Sequence, residues 1–258
     1  MVSLAWQHFL DEIARWRDAG QRVDFWWRDD DASRPDPALT RLVALAHAVG
    51  VPLALAVIPA EVQPAAFTSG SAWVTLLQHG VDHRSRAGAG DKKTEFPASE
   101  MLSLALARLQ HGRAQLELLA GARVLPVLVP PWNRISAPQL VRHLAAAGYA
   151  GLSTFGPRNA RHAAPGLVLV NTHVDIIDWR GSRGFVGEDL ALAQATRHLQ
   201  ARRQGLVDTA EPTGWLTHHA VHDEPAWAFM QVLLERTHGL QGVRWCGATE
   251  VFGPGPVP

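Results

Sequence analysis

The sequence predicts an α/β fold, a barrel of about seven strands wrapped by helices, and three observations carry that prediction. Apolar runs of strand length alternate with helical stretches along nearly all of the 258 residues. The runs are near-continuous rather than alternating, as in parallel strands buried on both faces. About seven such units in a chain of this length suit a closed barrel better than an open sheet. No composition break or Gly/Ser linker divides the chain, so residues 1-258 are expected to form a single domain, with an N-terminal helix over 3-19 packed on it.

The elements follow in order. Trp6, Phe9, Leu10, Ile13 and Trp16 recur at helical spacing, which makes the start an amphipathic helix rather than a basic and apolar leader. Val23 to Ala32 (V-D-F-W-W-R-D-D-D-A) reads as a strand ending in three carboxylates. Asp36-Pro37 begins a helix that Gly50 ends. Val51 to Ile58 is a continuous apolar strand, and Trp73 to Gln78 is another, stopping at His79-Gly80. Arg84 to Pro97 is polar and Gly-rich, a long surface loop of the kind that is usually functional or mobile. The spacing then predicts a helix over 99-119, a strand over 122-129, a helix over 136-147 and strands over 149-154 and 167-172. After them come a helix over 188-203, a strand over 213-218, a helix over 225-238 and a last strand near Val243 to Trp245.

Composition excludes several function classes. Lys plus Arg and Asp plus Glu are equal at 24 each, so no basic field argues for nucleic acid or an anionic membrane surface. A hydrophobic content of 47% rules out disorder. The lone Cys246 makes no internal disulfide, which fits a reducing compartment. No apolar run approaches about 20 residues, so a membrane span is not expected. The protein reads as cytoplasmic.

In barrels of this kind chemistry gathers where strands end on their C-terminal side, and the polar residues of interest fall at those ends. Three adjacent carboxylates repel one another and are most easily tolerated around a cation, although a solvated turn or a helix cap explains an isolated triplet as well. His79 and His83 are four apart, so one helical turn would put both imidazoles on one side. A carboxylate from the first strand end would complete a His, His, Asp site with an open position, the donor set that catalytic zinc and its neighbours use. Alone, the pair reads more readily as two solvated loop histidines. Val129-Pro130-Pro131-Trp132-Asn133 offers a rigid turn and an indole wall, or simply a core tryptophan. In Asp175-Ile176-Ile177-Asp178-Trp179, either acid is placed to charge a histidine or to cap a turn. His218, after Leu216-Thr217, is a candidate proton donor near neutral pH, or a satisfied histidine at a strand end.

Taken in order, these five pieces resemble the polysaccharide deacetylase family, carbohydrate esterase family 4, and a bacterial deacetylase-like branch of it in particular. The resemblance spans Asp29 to His218 and implies a distorted β/α barrel with one divalent metal ion, most plausibly zinc. Trp27 to Asp31 resembles the strand-ending T-F-D-D-G motif, which makes Asp29 the catalytic base and Asp30 a metal ligand. His79 to His83 resembles H-(S/T)-x-x-H and implies the other two ligands, with Gly80 in place of the hydroxyl residue. Val129 to Asn133 resembles R-P-P-Y-G and implies substrate contacts from Pro131 and Trp132. Asp175 to Trp179 matches D-x-x-D-W, so Asp175 or Asp178 would keep His218 protonated, and Trp179 would touch substrate. Leu216 to His218 matches L-x-H and implies that His218 is the acid.

Two departures bear on the site. Val129 stands where the family's arginine would hold the base, so Arg134 or Arg28 must serve, or the base is less well positioned. Asp31 replaces a glycine, so a register with Asp30 as base and Asp31 as ligand stays open. The implied activity is metal-dependent removal of an N-acyl group, N-acetyl above all, from an amino sugar or glycan. The same site acting on a formyl group or a non-sugar amide, and a carbohydrate-binding protein that has lost catalysis, are the alternatives.

Overall fold

The structure is a computed structural model that describes residues 3-64 and 72-253. Helix α1 (Leu4–Asp18) starts where the Ser3 hydroxyl accepts the Trp6 amide, and it turns Trp6, Phe9, Ile13 and Trp16 inward. Strand β1 (Val23–Ala32) is next. Helix α2 (Pro37–Val49) opens on Asp36, whose carboxylate accepts the Leu39 amide, and has proline at its first position. Strands β2 (Leu53–Val57) and β3 (Val74–His79) precede helix α3 (Leu102–Ala120) and strand β4 (Val124–Val129). Helix α4 (Pro138–Leu144), strand β5 (Gly151–Leu152) and the short β6 (His162–Ala164), β7 (Leu167–Leu169) and β8 (Val174–Asp175) follow. The chain continues through helix α5 (Glu188–Arg203), strand β9 (Thr213–Thr217), helix α6 (Glu224–Thr237), strand β10 (Val243–Cys246) and helix α7 (Ala248–Val251).

The strands run in the order β7-β5-β4-β3-β2-β1-β9-β8, parallel throughout, with β6 antiparallel on the outer edge of β7. β7 and β8 belong to one continuous run. Its first part hydrogen-bonds β5 and the residues after it, through Val170 N to Leu152 O and Thr172 N to Thr154 O. Its last part pairs with β9, with Val174 opposite Trp215 and Asp175 opposite Leu216. The two ends of the sheet therefore meet in this run, and the ring is a distorted barrel of the expected size. β1 is the axis of the assembly. One edge pairs with β9; the other pairs with β10 over Val23 to Trp26 and with β2 over Arg28 to Ala32.

Side chains alternate across this sheet as the pleat requires. Phe25 and Trp27 of β1, Leu53, Leu55 and Val57 of β2 and Trp215 of β9 point outward, under α1, α2, α5 and α6. Trp26, Ala54, Ala56, Leu77, Val127, Val129 and Phe252 fill the interior. Gly214 makes room there, because a Cβ would press on the Trp26 indole and on the Thr172 backbone. A further apolar cluster lies under α3 and α4.

Most of the expected elements are present with shifted ends. The helix expected over 136-147 is cut to Pro138–Leu144, and the strand expected over 149-154 keeps only two paired residues as a strand. Beyond the expected elements are β6, β8 and α7, each of two to four residues. Among the described residues no helix is long and apolar enough to cross a membrane.

Candidate active site

β1 does not end as a regular strand. Its register against β2 slips between Asp29 and Ala32, and Asp31 lies in the left-handed region at φ 72°. Consequently the three carboxylates go three ways. Asp29 points away from the cleft, fully buried, and accepts from the Thr217 hydroxyl at 2.6 Å and from the His219 amide and ring. Asp30, on the same face as Arg28, meets its guanidinium through two contacts of 2.8 and 2.9 Å. Asp31 is turned by the bulge toward the end of β3.

There Asp31 Oδ1 lies 3.1 Å from His79 Nε2 and 3.3 Å from His83 Nε2. The carboxylate brought together with the two histidines is thus Asp31, not Asp30. His79 Nδ1 faces the Val129 carbonyl at 3.0 Å, so its proton sits there and the neutral ring presents a lone pair at Nε2. That lone pair meets a carboxylate oxygen which is itself buried and without a hydrogen bond. Two acceptors facing each other are satisfied by a cation between them, and His, His, Asp is the donor set of an open catalytic metal site. Burial pushes the Asp31 pKa up, yet the positive charge that His79, His218 and His83 carry when protonated holds it well below the usual carboxylate range, as a cation at this point would. Burial and the neighbouring His79 push His83 down.

The two histidines are not joined by the expected helical turn. Gly80 at φ 55° and His83 at φ 54° reverse the chain instead. A Cβ on Gly80 would collide with the Glu95 carboxylate and with Pro131. The fully buried Glu95 uses that space to accept the Val81 and Asp82 amides, and so fixes the turn that carries His83. Glycine in place of a hydroxyl residue is the other half of this Glu95 cap.

With no arginine at position 129, the cation that meets Asp30 is Arg28. Its guanidinium, fully buried, also donates to the Ser153 hydroxyl at 2.6 Å and to Asn133 Oδ1 at 2.7 Å. Arg134, the other option, lies on the rim and donates to the Lys93 carbonyl. The i, i+2 spacing of Arg28 and Asp30 on one strand face is a signal that points to this pair. Nothing in the spacing of Glu95 or Asn133 does the same for their roles.

A cleft of about 630 Å³ opens above Asp30, Asp31, His79 and His83, with His218 and Asp175 across from them. His218 packs edge-on against Trp179 at 4.7 Å between ring centroids, and its Nδ1 has no hydrogen-bond partner. Asp175 accepts the Trp179 indole at 2.8 Å and the Ile177 amide at 3.0 Å, so it acts on His218 through charge rather than through a hydrogen bond. Burial raises the Asp175 pKa despite the lowering effect of His218. Asp178 is turned away and caps its own loop, accepting the amides of Arg180, Gly181 and Ser182. Trp132, at φ 56°, stands on the cleft wall against His83. Pro131 does not line the cleft: it is buried beneath Gly80, where its ring fixes the turn.

A second cluster, His173, His198 and Glu211, is fully buried. His173 Nδ1 accepts the Gly214 amide at 3.0 Å, which forces the proton onto Nε2, the atom facing Glu211 at 3.3 Å. A protonated nitrogen is no ligand, so this group is a buried structural pair, the reverse of His79.

The sequence matches no protein-family model and no curated protein. Its structure does have counterparts. A presumed polysaccharide deacetylase of Mycobacterium smegmatis superposes with a TM-score of 0.63 at 16% identity, covering 90% of each chain. The chain has the polysaccharide deacetylase fold. Two more solved structures share that fold: a peptidoglycan deacetylase of Bacillus subtilis (TM-score 0.54, 13% identity, 90% of each chain) and a family 4 carbohydrate esterase of Streptomyces lividans (TM-score 0.53, 13% identity, 88% of this chain and 91% of that one).

Proposed function

We propose that this chain is a metal-dependent hydrolase of the polysaccharide deacetylase family that removes an N-acyl group, N-acetyl first, from an amino sugar. The observation that carries the reading is Asp31 Oδ1 lying between two histidine nitrogens, one with its lone pair fixed toward it, beside a carboxylate clamped by a buried arginine. The residues fit a divalent ion, zinc by their donor set, held by Asp31, His79 and His83. Such an ion polarises the acyl carbonyl and makes a water acidic. Asp30, oriented by Arg28, takes the water's proton. His218, in the field of Asp175, hands a proton to the leaving amine. The Asn133 and Arg134 amides already bond to Pro130 and Pro131, which leaves the Trp132 amide to face the acyl oxygen. Trp132 and Trp179 wall the sugar. A binder without catalysis would follow from an unheld base, and the pairing of Asp30 with Arg28 weighs against it.

The test is metal content together with amine release from N-acetylated sugars, before and after chelation. Asp31→Asn is expected to lose the metal and the activity. Asp30→Asn should keep the metal and lose turnover, whereas Asp29→Asn should keep its metal. A protein that holds no divalent metal, or an Asp30→Asn variant that loses metal while Asp31→Asn keeps it, overturns the reading.

A further inference from the structure

The rim of the cleft carries four cations: Lys92, Lys93, Arg134 and Arg183. Among the described residues none of them has a carboxylate partner, although the chain as a whole has no net charge. Of the acids in the same loops, Asp91, exposed and next to Lys92 in sequence, pairs with none of the four, and the others are occupied elsewhere. Asp82 pairs with Arg86, Glu95 and Glu100 pair with Arg108, and Asp178 caps its own turn. On the floor, Asp30 is matched by Arg28, Asp31 faces the candidate metal position between the two histidines, and Asp175 is held by an indole and an amide. Four uncompensated like charges around one cleft repel one another, and an anion seated among them relieves that repulsion.

The cations are also held in place. Lys92 and Lys93 are exposed, but Thr94, Glu95 and Phe96 directly after them are buried, and the Thr94 hydroxyl bonds to the Arg134 carbonyl. Arg134 answers with its bond to the Lys93 carbonyl, so the two rim segments are tied to each other. The Lys93 ammonium lies 5.9 Å from the centre of the Trp132 ring, whose other neighbour is His83 at 4.7 Å. One indole therefore spans the distance from a rim cation to the candidate metal site. Arg183 sits on the opposite lip in the left-handed region at φ 59°, in the loop that Asp178 caps.

We propose that the substrate of this cleft is an N-acylated amino sugar carrying a phosphate group, with the phosphate held by Lys92, Lys93, Arg134 and Arg183 while the sugar lies on Trp132. The inference rests on the deacylase reading of the same site. Phosphate is favoured over a carboxylate because two guanidinium forks and two ammonium groups match several oxygens and more than one negative charge. A neutral glycan chain leaves all four cations unanswered.

The test compares the zinc-loaded full chain on N-acetylglucosamine 1-phosphate, N-acetylglucosamine, a neutral chitin tetramer and the carboxylated N-acetylmuramic acid. Amine release and calorimetric binding are read separately, at low and high salt. A nucleotide-diphosphate sugar and a polyprenyl-diphosphate sugar, added as further arms, separate a free phosphate from a carried one. The expected result is a preference for phosphorylated over neutral sugar of about 10-fold or more at low salt, fading as salt rises. In Lys92→Gln/Lys93→Gln/Arg183→Gln that preference should fall to within about 3-fold with metal content unchanged. Salt-sensitive binding of the phosphorylated sugar that the triple variant abolishes, without amine release from any arm, upholds the rim and refutes the deacylase reading. A preference for the neutral tetramer or the carboxylated sugar overturns the phosphate inference alone. A phosphate preference that persists in the triple variant does the same, since the metal and not the rim would then be its origin.

Discussion

Arg28 and Asp30 offer the sharpest quantitative test of the site. Their side chains are 0% and 2% exposed, and their two contacts are 2.8 and 2.9 Å. The charge centres of such a fork lie about 4 Å apart, and at an effective dielectric constant of about 20 that separation corresponds to about 4 kcal/mol. Arg28→Met removes this term, leaves a buried carboxylate unpaired and takes a donor from Ser153 and Asn133, so unfolding should become easier by about 3-5 kcal/mol. Asp30→Asn leaves the guanidinium buried with a weaker partner. In the double variant neither charge remains, and its loss should be smaller than the sum of the two by about 2-3 kcal/mol. Urea unfolding of the four proteins at neutral pH measures this coupling. Arg28→Lys should recover less than half of the loss, because an ammonium cannot meet both oxygens in one plane. Additivity to within about 0.5 kcal/mol would refute the view that Arg28 holds Asp30.

Other outcomes follow from the same geometry. Gly80→Ser forces a side chain into the Glu95 carboxylate at a positive φ, and should lower the melting temperature by about 5 °C or more and weaken metal binding through the displaced His83 turn, as calorimetry and metal titration would show. His198 is pushed down to about 2, by burial first and then by the charges of His173 and Arg202. The unfolded chain protonates this group near pH 6.5 and the folded chain does not, so the stability it contributes is whole above about 6.5 and declines as pH falls toward 2, by up to about 1.4 kcal/mol per pH unit. His198→Gln should flatten that part of a denaturation profile against pH; an unchanged slope would assign it elsewhere. Trp179→Ala strips a ring from His218 and a donor from Asp175, and is expected to lower kcat and raise KM together in steady-state kinetics, whereas a change in KM alone would make the ring only a wall for substrate.

The barrel was legible because its strands are buried on both faces, which leaves continuous apolar runs such as Leu53 to Val57. The strand ends were legible for the same reason, and with them His79, His83, Asp175 and His218 as neighbours of one cleft. The acidic register was not. Strand alternation sorts Asp29 from Asp30, but only a bulge with φ 72° at Asp31 decides which carboxylate reaches the histidines, and no residue type announces it there. The helical turn expected between His79 and His83 fails because Gly80 and the distant Glu95 specify a tighter reversal, a contact across 15 positions of sequence. Pro131 carries no sign in the sequence that it packs beneath Gly80. β6 and β8 are too short for any periodicity to register.

The loop that carries Trp179 and Arg183 is fastened mainly to itself. Asp178 gathers three of its amides, and the Asp178 and Gly184 backbones close its base. Its tie to the next layer is the bond from the Phe185 amide to Asp223, the residue that also caps α6. Beyond Trp179, whose ring and indole bond reach His218 and Asp175, such a loop is a cassette: the floor of the cleft does not depend on which sequence stands between residues 179 and 185. Grafting a loop with acids in place of Arg180 and Arg183 would invert the charge of this lip while the side chains proposed for catalysis stay as they are, which makes it the place to begin redesigning what the cleft accepts.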